Sequence, residues 1–428
     1  MPFLPLKKQV LGVGHKSKFL SLGELMLFQF KLFGVLYLKS IFRYGSTGMK
    51  WSLRHAIFLI IFPVFYIGLQ LLNRICFILD DLFYYEYRGI EVKSPVFIVG
   101  FPRSGTTHLH RLLAKDEENT SLLLWEMMFA PSIVQKKFFL WIGRLDRKIG
   151  QPFYRFFSAI EEKQFAEARK IHHISHFEPE EDEIVLIHIF VSAFQMFMFP
   201  FDEMLTFTHF DTALSESYRT KVMAFYKDLI RRHLYVFGPT KRYVSKNPAF
   251  SCKIKSLYAA FPDAKIVCMV RTPFEAVPSA VSWMSYNLNT FHVSDSPYHV
   301  ELIIGGIGHW YRYPLEQLAN YSESSQAIEI YDNLVHQPKK IVEGFYNRFG
   351  FSLSNGFQAI LEEADQKAKN YKSSHSYSFE KMGLSREQIL SLFSDTFDRF
   401  GFDRGDDSEI QYTGTGIIPA PESTQSIP

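Results

Sequence analysis

Pro95-Val96-Phe97-Ile98-Val99-Gly100-Phe101-Pro102-Arg103-Ser104-Gly105-Thr106-Thr107-His108-Leu109-His110-Arg111-Leu112-Leu113 is the stretch from which the rest of the chain can be read. Val96 to Val99 is a short apolar run, the pattern of a parallel strand buried on both faces. Gly100 to Gly105 holds two glycines and a proline and reads as a tight turn. From Thr106 onward, Leu109, Leu112 and Leu113 fall at helical spacing. Strand, loop and helix in that order aim backbone N–H groups and the positive end of a helix at one spot, which suits a phosphate or a sulfate.

The loop follows the spacing of a Walker A motif with one change. Gly100 and Gly105 are correctly placed, but Thr106-Thr107 stands where Lys-Ser or Lys-Thr would reach the β- and γ-phosphates of ATP. The cation lies inside the loop instead, at Arg103. A tetrahedral anion is accommodated; a triphosphate with its Mg²⁺ is not favoured.

A second unit of the same kind follows. Lys265-Ile266-Val267-Cys268-Met269-Val270 reads as a buried strand, then Arg271-Thr272-Pro273 opens a helix that carries Ser279 and Ser282. This strand ends in an arginine rather than the aspartate that holds Mg²⁺ in P-loop NTPases, which weighs against an ATP-dependent kinase. Residues 243–245 and 327–331 read as further strands, with Lys246 at the carboxyl end of the former, where open α/β sheets bind ligands. Residues 96–99, 243–245, 265–270 and 327–331 then form a short parallel sheet in a three-layer, P-loop-like α/β domain. Leu122 to Glu126 reads as another short strand or extended segment.

The most acidic spot is His172-His173-Ile174-Ser175-His176-Phe177-Glu178-Pro179-Glu180-Glu181-Asp182-Glu183. Pro179 suits the first turn of a helix and the acids suit its positive end, with the helix running to about Met198. Carboxylates and histidines here supply candidates for a general base; a plain acidic helix start is the alternative. The histidines lack a metal-binding spacing, and no metal is expected.

Composition sets outer bounds. The chain has 428 residues, 47% of them hydrophobic, enough for one large domain or two. A net charge of +3 gives no support for a nucleic-acid partner. Cys76, Cys252 and Cys268 are scattered, which argues against a disulfide framework and for a reducing compartment. Residues 1–55 are basic: Lys7, Lys8, Lys16, Lys18, Lys31, Lys39, Arg43, Lys50 and Arg54 face Glu24 alone. Phe19 to Phe42 has the composition of an interfacial helix or of a core helix with a solvated edge. Residues 56–72 are uncharged and at the short end of the membrane-spanning range, with Pro63 expected to kink the helix. Residues 1–90 therefore read as a membrane-associating helical segment. The tail from about Gly405, rich in Asp, Gly, Pro, Ser and Thr, is expected to be disordered.

Pro102-Arg103-Ser104-Gly105-Thr106-Thr107 resembles the 5′-phosphosulfate loop of sulfotransferases that use 3′-phosphoadenosine 5′-phosphosulfate (PAPS). The resemblance runs from about Asp80 to about Phe400, with residues 91–404 as the catalytic domain. It implies transfer of a sulfuryl group to a hydroxyl or amine of a lipid, glycan or small molecule, with PAPS as co-substrate and no metal. By the same resemblance, Arg103, Ser104, Gly105, Thr106 and Thr107 hold the 5′-phosphosulfate, while Arg271 and Ser279 hold the 3′-phosphate. Lys246-Asn247-Pro248 is similar to the family's Lys-x-Pro, with asparagine in place of the common serine. Trp125-Glu126 is similar to a pair beside the acceptor cleft, or else is core. Tyr331-Asp332-Asn333-Leu334-Val335 with Pro338, and Lys369, Lys372, His375, Tyr377 and Gly383-Leu384, are similar to late family elements. The base is Glu181 or Glu180, with His176 next. Family members carry comparable lead-in helices without a span, which implies the cytoplasmic side of a membrane; if 56–72 spans, the basic flank predicts its N-terminus inside. The remaining reading is a membrane-bound protein that keeps the nucleotide fold without chemistry.

Overall fold

Val96–Gly100 is buried along its whole length, as its apolar run requires, and forms strand β1. The computed structural model describes residues 22–47, 50–171, 174–292, 305, 308–369 and 385–404. The expectations placed on residues 1–21, on His172 and His173, on Lys372, His375, Tyr377, Gly383 and Leu384, and on residues 405–428 lie outside the described residues.

Four further strands, β2 (Asn119–Thr120), β3 (Arg242–Lys246), β4 (Lys265–Val270) and β5 (Gln326–Ile330), complete a parallel sheet in the order β2-β3-β1-β4-β5. Val96 pairs with Val244 on one side and with Lys265 on the other. The chain therefore leaves β1 in opposite directions toward its two neighbours, and the crevice at the carboxyl ends of β1, β3 and β4 is the topological switch point.

Alternate residues of each strand serve opposite layers. Val96, Ile98, Val244, Val267 and Met269 pack with Leu109, Leu112 and Leu113 and with the helices Pro338–Phe349 and Asn355–Ala368. Phe97, Val99, Tyr243, Ile266 and Cys268 face the larger core, which takes in the helix Glu216–Phe237. This is the expected three-layer α/β architecture, with helices dominating.

The N-terminal segment forms two helices, α1 (Leu22–Phe42) and α2 (Leu53–Phe83). α2 runs unbroken through Pro63. Leu32, Phe33 and Leu36 of α1 and Tyr66 of α2 belong to the same core as the sheet. Along α2 the buried positions His55, Leu59, Tyr66, Gln70, Asn73, Cys76 and Asp80 recur at helical spacing. The Asp80 carboxylate accepts the backbone N–H groups of Ile133 and Val134, both at 2.9 Å, and Arg232 Nε at 2.9 Å. Asn73 donates to His188 Nδ1 at 3.1 Å and accepts from Gln135 at 2.8 Å.

Four elements differ from the sequence reading, the first being the edge strand β2, which the polar pair Asn119–Thr120 adds to the four expected strands. The segment at 122–126 is extended only as far as Leu123, which bridges Pro179, and Leu124–Phe129 is helix α4, whose start is fixed by the Glu126 carboxylate accepting the Leu123 N–H at 2.9 Å. β5 ends at Ile330, because Tyr331 opens the next helix. The helix expected from Pro179 to Met198 is two 3-10 turns, Asp182–Ile189 and Ala193–Phe197, separated by Phe190 at φ 53°. Ser192 donates its N–H to Gln195 Oε1 at 3.0 Å and Ala193 donates to Glu183 Oε1 at 2.9 Å. Those two donors are therefore unavailable to the carbonyls four residues back that a continuous α-helix would need.

Candidate active site

The loop after β1 is shaped by two left-handed residues. Arg103 has φ 68° and Gly105 has φ 84°. Gly105 also has no room for a side chain, since a Cβ would stand 2.4 Å from Cδ2 of Tyr331. Helix α3 (Thr106–Leu113) starts immediately after it, so the N–H groups of Thr106, Thr107 and His108 open toward the crevice without intrahelical partners. Ser104 is fully buried, and its hydroxyl has no hydrogen-bond partner. A buried hydroxyl in that state needs an acceptor, and a bound anion at the helix start would supply one.

The second strand–turn–helix unit closes on the first. Arg103 Nε donates to Ser279 Oγ at 3.0 Å, and Arg271 Nη1 donates to the Arg103 carbonyl at 3.2 Å. Arg271 Nε also donates to Glu275 at 2.7 Å, and its guanidinium lies 4.3 Å over the Tyr331 ring. Tyr331 thus separates Gly105 from Arg271 and fixes the distance between the two loops. Arg103, Ser104, Gly105, Thr106, Thr107, Arg271 and Ser279 are brought together at the carboxyl ends of β1 and β4.

The acidic run is divided among separate partners. Lys246, fully buried at the end of β3, has its ammonium 3.1 Å from Glu181 Oε1 and 3.4 Å from Glu180 Oε2. Asp182 accepts the hydroxyls of Tyr226, Tyr243 (2.6 Å) and Ser245 (2.8 Å), and burial raises its pKa. Glu183 pairs with Lys253 at 3.1 Å and accepts the Ser192 hydroxyl at 2.6 Å. Glu180 and Glu181 precede the first 3-10 turn rather than lying in the first turn of a helix after Pro179, and both carboxylates reach the same lysine. They differ in exposure. Glu180 is buried, whereas Glu181 lines the cleft.

That cleft, about 180 Å³, is bounded on one side by Pro102, Arg103, Gly105, Thr106, Thr107, His108, Arg271 and Tyr331. Its other wall is apolar: Ala193, Phe194, Met196, Phe197, Trp283, Met284 and Trp310. Glu181 stands where the two meet. Burial, reinforced by Lys115 and Arg111, lowers the pKa of His108. Deeper in, His110 is pushed down to about 3 by burial and then by Lys246; its Nε2 donates to Ser121 Oγ at 2.9 Å.

Some expected residues lie apart from the cleft. His176 bonds Glu161 at 3.1 Å and is not among the lining residues. Trp125 packs on Phe139, and Glu126 is buried against His233 Nδ1 at 2.9 Å. Lys369 is exposed and does not line the cleft. Conversely, Phe194, Phe197, Trp283 and Trp310 were not readable as site residues, since aromatics in apolar runs look like core. Ser279 and Trp283 lie four residues apart on one helix, the only sequence signal for the latter. Among the described residues no group of His, Cys, Asp or Glu is placed to hold a metal ion.

A family model described as the sulfotransferase family matches residues 95–355. The omega-hydroxy-beta-dihydromenaquinone-9 sulfotransferases Stf3 of Mycobacterium bovis and Mycobacterium tuberculosis are each 23% identical over 356 residues, covering 80% of this chain and 84% of theirs. The crystal structure of sulfotransferase STF9 from Mycobacterium avium superposes with a TM-score of 0.60 at 17% identity, covering 77% of this chain and 83% of that one. Sulfotransferase STF1 from Mycobacterium tuberculosis gives a TM-score of 0.58 at 20% identity, over 89% of this chain and all of that one. The two structures share the fold, and the family match spans the loop, both arginines, Lys246 and the acidic run: the chain belongs to the sulfotransferase family.

Proposed function

We propose that this chain transfers a sulfuryl group from PAPS to the hydroxyl of an apolar, lipid-like acceptor. The observation that carries this is the composition of one cleft: it is lined by cations and a helix start, by an aromatic wall, and by Glu181, whose carboxylate is bonded to the buried Lys246 beneath it. Arg103, Ser104, Gly105, Thr106 and Thr107 hold the 5′-phosphosulfate, and Arg271 with Ser279 holds the 3′-phosphate. The residues fit such a ligand: the Ser104 hydroxyl lacks an acceptor, and Gly105, packed against Tyr331, keeps the tight loop at the helix start. PAPS, when bound, supplies a sulfuryl group on a phosphate leaving group.

Glu181 takes the proton of the acceptor hydroxyl as its oxygen bonds to sulfur. The Lys246 ammonium offsets the negative charge that develops on the departing phosphate oxygen. Two carboxylates face that one ammonium, and the exposure of Glu181 to the cleft favours it as the base. His176, tied to Glu161, would have to leave that bond to serve. The aromatic wall favours an apolar acceptor body, in keeping with the hydroxylated menaquinone named for the two mycobacterial relatives. Residues 1–90 associate with a membrane through α2, whose 18-residue apolar window has a mean hydropathy of 2.1 and is only 22% buried.

Equilibrium binding tests the donor assignment. PAP, the desulfated product, is expected to bind without Mg²⁺ and ATP to bind poorly; the reverse order would make the site a kinase site. Sulfation of an untargeted lipid extract with labelled PAPS, read by mass spectrometry, identifies the acceptor.

A further inference from the structure

We propose that the hairpin of α5 (Ile133–Lys148) and α6 (Pro152–Ile171) is a second membrane-docking element, and that with α2 it seats the protein in one leaflet of an anionic bilayer without crossing it. α2 has a polar edge. His55, Asn73 and Asp80, near both ends of the helix, are completely buried against the domain. A helix held to its own domain at both ends lies along that domain rather than passing across hydrocarbon away from it. Its outer side is bare: Val64 is 75% exposed and Ile60 72%.

The hairpin extends this pattern. The start of α5 is docked on α2 through Asp80 and Asn73. Beyond Lys137 the helix leaves the core, and Phe138, Trp141, Leu145 and Ile149 are exposed at spacings that share one face. α6 repeats this with Phe153, Phe156, Phe157 and Ile160, Phe156 being 61% exposed. Asp146 ties the two helices by accepting the N–H groups of Phe153 (2.9 Å) and Tyr154 (3.0 Å). A water-facing hairpin would not carry such a stripe.

Charge identifies the occupant. Between 138 and 160 the only acid is that buried Asp146, while Arg144, Arg147, Lys148 and Arg155 are all exposed. Aromatics on one side and arginines and lysines beside them are the arrangement of an in-plane segment on anionic lipid. A second copy of this chain would bring the same positive charge against itself.

The docked face also reaches the acceptor side. Exposed Phe177 stacks near Tyr154 of α6, with ring centroids 5.6 Å apart, four positions before Glu181. Resting on the acceptor class proposed above, this places the membrane next to the cleft, so a lipid hydroxyl is delivered from the leaflet.

The docking claim is tested without nucleotide, so its failure is distinguishable from failure of the donor assignment. The full chain is floated with vesicles of phosphatidylcholine alone or mixed with phosphatidylglycerol. Joint substitution of Phe138, Trp141, Phe156 and Phe157 by Ser, all at exposed sites, is expected to weaken partitioning at least about tenfold with α2 intact. Joint substitution of Arg144, Arg147 and Lys148 by Glu is expected to abolish the preference for the anionic vesicles. A fluorophore on Phe157→Cys, selective because Cys76, Cys252 and Cys268 are buried, should be quenched by a lipid-borne quencher. Wild-type flotation by both variants, or an unquenched Phe157 label, would overturn the proposal, as would a lipid-free dimer that does not float.

Discussion

Arg103 Nε donates to Ser279 Oγ at 3.0 Å, joining two side chains 176 residues apart at the mouth of the sheet. The loop assigned to the 5′-phosphosulfate and the helix assigned to the 3′-phosphate are therefore one unit, with Arg271 bonded to the Arg103 carbonyl behind them. Arg271→Ala is expected to weaken PAP by roughly 1.5–3 kcal/mol, about 10- to 150-fold, and to weaken adenosine 5′-phosphosulfate, which lacks the 3′-phosphate, far less. Titration calorimetry with both ligands measures this. Equal losses would mean that Arg271 only props the loop.

Glu181→Gln keeps shape and removes basicity. It should lower kcat by roughly 10²–10⁴ while PAP affinity stays near wild type. Glu180→Gln, at the buried partner of Lys246, should act mainly through that lysine and cost less. Normal turnover in Glu181→Gln with loss in Glu180→Gln would exchange their roles. If neither changes, His176 is the next residue to substitute.

Gly105→Ala drives a methyl group into the Tyr331 ring, at a backbone angle that disfavours any Cβ. The strain alone is about 1–2 kcal/mol, and moving Tyr331 disturbs Arg271, so PAP binding should fall about tenfold or more. Gly143→Ala, whose Cβ would meet nothing within 4 Å, is the matched control and should bind normally. Equal PAP affinity in the two variants would remove Gly105 from the site.

Buried neutral histidines should make the fold acid-sensitive. His188 donates Nε2–H to the Met127 carbonyl at 2.7 Å, and burial pushes its pKa down to about 4; His110 lies near 3 for the same reason. A folded pKa below the unfolded value means that the unfolded chain takes up protons first as pH falls. Stability is then complete above about pH 6.5 and is lost on acidification through the folded values, by roughly 2 kcal/mol per histidine at pH 5. Denaturant unfolding at pH 7 and pH 5 measures it. His188→Gln should reduce the pH dependence by one histidine's share, and an unchanged dependence would refute the assignment.

β1 and β4 were the most legible because they are nearly unbroken apolar runs, the trace of parallel strands buried on two faces, whereas the polar pair Asn119–Thr120 of β2 gave no such trace. Lys246 and Arg271 were legible for a related reason, since cations at strand ends have one crevice to point into, whereas Ser279 came from the resemblance to the sulfotransferases alone. The segment from Glu180 to Phe197 was not legible. Its shape depends on Glu183 holding Ser192, Ala193 and Lys253, and no local pattern reports a partner 70 residues away. The same blindness hid the polar edge of α2. The partners of Gln70, Asn73 and Asp80 are His188, Gln135 and Arg232, all contributed later in the chain.

The buried edge of α2 has a consequence for synthesis. Asp80 waits for Arg232, 152 residues further on, before its charge is matched. At ordinary translation rates that is on the order of ten seconds or more. Throughout it, a helix apolar on one side and ionic on the other has neither its domain nor a settled place in lipid. Folding of this protein is therefore a race, in which chaperones or the membrane-insertion machinery compete for α2 until the later half of the chain arrives.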